Sequence, residues 1–361
     1  MKVLFISRAT LYTARGGDTV QILHTARCLR QLGVEVDIAL SSDKQINYEA
    51  YQLLHFFNII RPADIIYHAD KSGLPYVVSP IYLSYEDIPK TYKHPLYRVL
   101  GLFNKHKQEY LKTVGRSFKN GEKVISWKYL FLGHRQAIAY ILRRCAYLLP
   151  NSCSEYARLK NDFPEAGRFA VVPNSIDTTV FHIAAAPVKR KPALLCVARI
   201  EPIKNQLNII NALRETGTPI TFVGDAAPNH SAYYQECRRA AYDNVQFISH
   251  QEPAMVATLY QQYKTHILAS WFETTGLSSL EAAACGCTLV VSEKGDTREY
   301  FSGHVQYCHP GNPQSIRSAV EQALQTAADP LFASRIALEN NWDMTALKTL
   351  EVYKKVMDAQ E

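Results

Sequence analysis

The sequence predicts an α/β protein made of two doubly wound parallel sheets facing a cleft, and three observations carry this. A chain of 361 residues is longer than a single hydrophobic core usually serves. Short apolar runs alternate with segments of helical periodicity in two successive series, and strand, helix, strand in that rhythm implies parallel pairing. Between the series, Ser175 to Pro192, with Pro187, Pro192 and a run of alanines, has the composition of an interdomain connection.

Composition narrows the class. Apolar content of 47% and charged content of 20% are those of a globular protein, and no apolar run approaches the ~20 residues of a membrane span. Met1 to Arg8 carries too short an apolar stretch for a signal peptide and reads as a first buried strand, which points to a cytoplasmic protein. The eight cysteines form no CxxC pair and no zinc-type spacing, so they are expected reduced, buried and structural. The net charge of +7 is concentrated: residues 90–144 hold thirteen Lys or Arg against two Glu, and the rest of the chain is net acidic.

The first series runs Val3 to Ile6 as a strand, then Gly16-Gly17-Asp18 as a turn into a helix with Ile22, Ala26 and Leu29 on one face. Gly33 ends that helix before a strand over residues 34–40. Ala63 to Tyr67 and Leu74 to Val78 read as two more strands. From about residue 84 to 144 the rhythm breaks into an insertion that mixes Tyr, Phe, Leu and Trp127 with Lys and Arg. That combination suits an interfacial segment on an anionic membrane, while a nucleic-acid partner is not expected, since no base-reading module is visible. Residues 146–152 and 169–174 return to short strands.

The second series places strands at residues 193–197, 220–223, 245–248, 266–269 and 288–291. Helices start near Asn205, Tyr233 and Met255, and three more cover residues 315–327, 331–340 and 344–358. Domains are therefore expected over residues 1–176, with the basic insertion about 84–144, and over 177–340, followed by a terminal helical segment at 341–361.

Two clusters carry the chemistry. After the first strand of the second domain, Arg199 and Lys204 put two cations at the sheet's carboxyl edge, a planar fork and a mobile point charge suited to phosphate oxygens. In Trp271 to Cys287, Gly276, Ser278 and Ser279 lie where the first free N–H groups of a helix point outward. Such a start attracts anions, and Glu273 and Glu281, with seven residues between them, add acceptors for hydroxyls. Two substrates would meet in the cleft between the domains.

Arg199-x4-Lys204 and Glu273-x7-Glu281, together with Val223-Gly224-Asp225, Val172 to Asp177 and Gly16-Gly17, resemble retaining glycosyltransferases of the GT-B fold, family 4. The resemblance implies two Rossmann-like domains, a final helix crossing back to the first, and a nucleotide sugar donor. It implies that Arg199 and Lys204 hold the diphosphate, that backbone groups at Gly276 and Leu277 take the distal phosphate with Ser278 also in the donor site, and that Glu281 accepts ribose hydroxyls. Glu273 is implied near the reacting carbon, Phe247 to Ser249 beside the base, and Gly16, Gly17 and Gly224 close to the donor. No cofactor and no metal are expected, because fixed cations and the helix dipole meet the leaving-group charge and no Asp-x-Asp element is present. The acceptor-side base is left open among Asp18, His68 and Asp70.

The function read from this is transfer of a sugar to a glycan or lipid-linked acceptor, in cell-surface polysaccharide or lipopolysaccharide synthesis. It would take place at the cytoplasmic face of a membrane reached through residues 90–144. A nucleotide-sugar 2-epimerase and a non-catalytic nucleotide-sugar binder are the alternatives.

Overall fold

A computed structural model describes residues 1–14, 16–83, 126–186 and 188–360. The expected basic insertion therefore falls largely outside the described residues, and only its last part, from residue 126, is seen. Contacts divide the described chain into two units, residues 1–82, 126–173 and 342–360 in one and 174–341 in the other.

The first unit is built on β1 (Lys2–Ser7), α1 (Gly17–Gln31), β2 (Glu35–Leu40), β3 (Leu53–Phe57), α2 (Pro62–Ser72), β4 (Tyr76–Ser79), α3 (Trp127–Arg144), β5 (Tyr147–Leu148) and α4 (Cys153–Asp162). Its sheet is parallel in the order β2-β1-β3-β4-β5, which reverses direction between β1 and β3. Period-two alternation sends Val3 and Phe5 to one face and Leu4 and Ile6 to the other. The first pair packs with Ile22, Ala26 and Leu29 of α1, the second with Ile65 and Ile66 of α2 and Ile138 and Ile141 of α3.

Two sequence expectations fail here. Ala63 to Tyr67 is not a strand but the first turns of α2. Pro62 sits at a helix start, where its missing N–H is no loss, and the apolar positions continue to His68 and Ala69 at helical spacing. The strand that belongs there is β3, whose run is interrupted by the polar but fully buried His55. Residues 169–174 are also less regular than expected. Ala170 and Val172 donate to the carbonyls of Leu148 and Pro150, and only the Leu148–Phe169 bridge forms.

The second unit contains β6 (Lys191–Val197), α5 (Gln206–Leu213), β7 (Ile220–Val223), α6 (Ser231–Ala240), β8 (Val245–Ile248), α7 (Pro253–Gln262), β9 (Tyr263–Leu268), α8 (Leu277–Ala284), β10 (Thr288–Ser292), α9 (Thr297–Phe301), β11 (Gln306–Cys308), α10 (Pro313–Gln325) and α11 (Pro330–Glu339). Its parallel sheet runs β11-β10-β9-β6-β7-β8. Strand order reverses between β6 and β9, so the chain leaves these neighbours toward opposite faces and opens a crevice at their carboxyl ends. The connecting segment is no loose tether, since Ile176 and Phe181 are buried in this unit's core beside Leu289 and Phe332.

The last helix, α12 (Trp342–Asp358), completes the first unit. Trp342, Ala346, Val352, Tyr353 and Val356 join the core formed by α1 and the sheet, and the Tyr353 hydroxyl lies 2.6 Å from His55 Nδ1. None of the described helices is long and apolar enough to cross a membrane.

Candidate active site

The site is assembled from loops that follow β6, β7, β9 and β10. Lys204 ends a single 3-10 turn, Pro202–Lys204, and Asn205 follows in a left-handed conformation (φ 64°) that asparagine tolerates better than most residues. The Asn205 amide then donates to the carbonyls of Ala269, at 2.9 Å, and Pro310, at 2.8 Å. Ile203 O accepts from Trp271 N at 2.8 Å, so the turn after β6 is bound to the loop after β9. As a result the Lys204 ammonium lies 2.6 Å from Glu273 Oε1 although 69 residues separate them.

Glu273 is held from behind. It forms a parallel bridge with Gly295, and Asp296 N donates to Glu273 O at 2.8 Å. Gly295 has φ +88° and sits so close that a Cβ there would come within 2.0 Å of Glu273 O. Gly224 plays the same part for Arg199: a Cβ on it would meet the Ala198 carbonyl at 2.2 Å. Gln206 Nε2 donates to Arg199 O, and Ile200 N to Asp225 O, which completes the hold on that loop.

Arg199 itself pairs with Glu201, Nη2 to Oε1 at 2.9 Å, with half of its side chain exposed. An ion pair this wet is worth little, on the order of 0–1 kcal/mol, so the guanidinium exchanges partners at small cost. Gly276 caps α8. Ser279 N is bonded to Gly276 O, and its hydroxyl meets His266 Nε2 at 3.1 Å inside the core, so Ser279 offers nothing outward. Leu277 and Ser278 begin the helix, and among the described residues their amides donate to no protein acceptor.

Glu281 lies one turn further on. Desolvation pushes its carboxyl up to about 8, against the smaller opposing pull of the Tyr260 phenol. The phenol is itself raised by burial and by Glu281. Ser249 follows β8 at the carboxyl edge. The Phe247 ring stacks on Phe222 at 5.2 Å and meets Tyr234 of α6 edge-on.

The first unit's candidates stand differently. Gly16 and Gly17 open α1, as expected. Asp18 is gripped by Arg8, Nε to Oδ2 at 2.6 Å and Nη2 to Oδ1 at 3.0 Å, which makes it a brace of the loop after β1. His68 is no residue of a strand end: it is fully buried in α2, its Nδ1 2.7 Å from Tyr48 OH and its Nε2 3.0 Å from Ser41 O. Burial lowers its pKa, and both nitrogens are engaged, so it holds the loop after β2 and cannot reach a ligand. Asp70 binds Lys128 at 2.6 Å and Tyr140 at 2.9 Å. Of the eight cysteines, Cys153 is exposed and Cys145 half-buried; the other six are buried. Among the described residues no cluster of three or more His, Cys, Asp or Glu could hold a metal ion.

Sequence reading missed Gly295, Asp296 and Asn205. The first two sit in an ordinary-looking turn, Glu293-Lys-Gly-Asp296, while Asn205 beside Lys204 was legible only as a helix start.

Two parallel-sheet α/β units with this strand order and these loops define the GT-B fold. Sucrose-phosphate synthase from Thermosynechococcus elongatus superposes with a TM-score of 0.73, covering 99% of this chain and 100% of that one at 14% identity. Anabaena Alr3699/HepE, in complex with UDP-glucose, does so with a TM-score of 0.68, covering 98% and 100% at 16% identity. Residues 179–337, nearly all of the second unit, match the family model of glycosyl transferases group 1. In sequence, the chain is 28% identical over 229 residues to glycogen synthase of Mycobacterium tuberculosis, across 60% of this chain and 55% of that protein. It thus spans about half the length of that curated relative.

Proposed function

We propose that the protein is a metal-independent, retaining glycosyltransferase that moves a hexosyl-type unit from a nucleoside diphosphate sugar to a glycan or lipid-linked acceptor. The observation that carries this is the convergence of Lys204, Glu273 and the free amides of Leu277 and Ser278 at the strand-order reversal of the second unit. As the glycosyl bond breaks, negative charge gathers on the leaving diphosphate. An ammonium, a guanidinium and helix amides gathered in the loops of one sheet edge stabilise it once the diphosphate has taken the place of their resting carboxylate partners. Glu281, on the helix whose first amides would take the phosphate, would accept the ribose hydroxyls, and Ser249 with the Phe247 backbone would border the base. HepE, which binds UDP-glucose, and the group 1 family match over the second unit support the donor class.

The test is release of nucleoside diphosphate from UDP-, GDP- and ADP-sugars with an oligosaccharide or polyprenyl-linked acceptor. NMR of the product should show the donor's anomeric configuration, and EDTA should leave the rate unchanged. An isomeric sugar formed without acceptor would make the protein an epimerase. Binding without turnover on any acceptor would make it a carrier or scaffold.

The role in cell-surface polysaccharide or lipopolysaccharide synthesis, at the cytoplasmic face of a membrane, is part of the same proposal. Trp127 and Phe131, one turn apart on α3, are 77% and 87% exposed beside Lys128, as an interfacial helix requires. Lys128 and Arg143 are paired with Asp70 and Glu165, so the charge for an anionic surface falls to the other eleven Lys and Arg between residues 90 and 144. Co-sedimentation with phosphatidylglycerol vesicles at low salt, lost at high salt, is the expected result.

A further inference from the structure

We propose that Glu273 is the resting occupant of the anion site, and that the need to displace it lets the site favour a nucleoside diphosphate sugar over the bare nucleoside diphosphate. The inference rests on the donor reading above.

Neither partner of the Lys204–Glu273 pair can withdraw by moving its backbone. The Lys204 turn is fixed by Asn205 to Ala269 and Pro310 and by Ile203 to Trp271. Glu273 is fixed by Asp296 N and by the close approach of Gly295. A phosphate arriving at Lys204 must therefore compete with a carboxylate already 2.6 Å away, and only the two side chains can yield.

Among the described residues, Lys204 is the one hydrogen-bond donor to the Glu273 carboxylate. The Glu273 side chain is only 9% exposed, so once displaced it is a nearly buried charge with no protein partner and little water. That state is costly. Sugar hydroxyls relieve it, since hydroxyls donate well to a carboxylate. A bare nucleoside diphosphate takes Lys204 away and offers nothing in return. The same residue that touches the transferred sugar would thus also penalise the product that remains after transfer, which favours its release.

The experiment is titration calorimetry of the full chain with three matched pairs: UDP and UDP-glucose, GDP and GDP-mannose, ADP and ADP-glucose. Wild type, Glu273→Gln and Glu273→Ala are compared, with melting curves to confirm that each is folded. For the pair that binds, wild type should prefer the sugar nucleotide at least about tenfold. Both variants should bind the bare diphosphate about tenfold more tightly than wild type, with the preference reduced to about twofold or less. If folded variants bind the diphosphate no more tightly, or keep the wild-type preference, the inference is overturned while the donor reading stands. If wild type binds none of the pairs at millimolar concentration, the donor reading fails and takes this inference with it.

Discussion

Gly295 supports Glu273 by lying directly against its backbone, at a distance that leaves no room for a side chain. Its φ of +88° adds a conformational penalty to any substitution. Gly295→Ala should therefore lower stability by about 1–3 kcal/mol and reduce activity by more than the unfolded fraction explains. Gly303, with open space around its α-carbon and no positive φ, is the control: Gly303→Ala should change the unfolding free energy by less than about 0.5 kcal/mol.

Lys204 and Arg199 are expected to differ in weight. Lys204→Ala should reduce kcat/KM by about 10²–10³-fold with an unchanged circular-dichroism spectrum, because it removes a fixed, partly enclosed charge from the leaving group. Arg199 is half exposed and screened by water, so Arg199→Ala should cost about 10-fold. Equal losses for the two would contradict this ranking.

If Glu281 accepts the ribose hydroxyls as proposed, nucleotide binding should depend on pH. Its carboxyl titrates near 8 in the free protein, and ribose hydroxyls hydrogen-bond best to the ionised form, so binding expels a proton. Affinity should rise with pH until it levels off above about 8, and Glu281→Gln should abolish the slope. Folding shows the reverse sign. The folded carboxyl holds its proton above the unfolded value of 4.5, so this group's stabilisation is complete below that value and is lost as pH rises toward 8.

His55 couples the terminal helix to the first sheet. Its Nδ1 is 2.6 Å from Tyr353 OH and its Nε2 2.9 Å from Ser79 Oγ, and burial pushes its pKa down to about 3. The unfolded chain binds a proton there below about 6.5 and the folded one does not, so stability should fall on acidification from 6.5 toward 3. Tyr353→Phe, which leaves a buried imidazole nitrogen without its partner, should cost about 1–3 kcal/mol in urea denaturation.

Two doubly wound units were legible because their strands and helices alternate with clear periods. The exceptions have physical causes. Ala63 to Tyr67 is too short an apolar run to tell strand from helix, and β3 is disguised by His55, a polar side chain accommodated inside the sheet by two hydroxyls. At the site, the residue types and spacing around Arg199, Lys204, Glu273 and Gly276 could be read directly. That Lys204 touches Glu273 could not, because it depends on β6 and β9 being neighbours, and strand order is a property of the whole sheet. The dual restraint on Glu273 was hidden for the same reason: Gly295 arrives one full crossover later. His68 and Asp18 show the converse, since a residue type suited to proton transfer says nothing of the Tyr48, Ser41 or Arg8 that already engages it.

Because α12 closes the core of the first unit, that unit is discontinuous in the chain while the second is not. During synthesis, residues 174–341 can collapse as one piece, but the sheet that precedes them keeps the apolar patch meant for Trp342, Val352 and Tyr353 open until the final helix emerges. The N-terminal half is thus translated first and finished last, and severing the polypeptide near Asn341 would strand it with that patch uncovered.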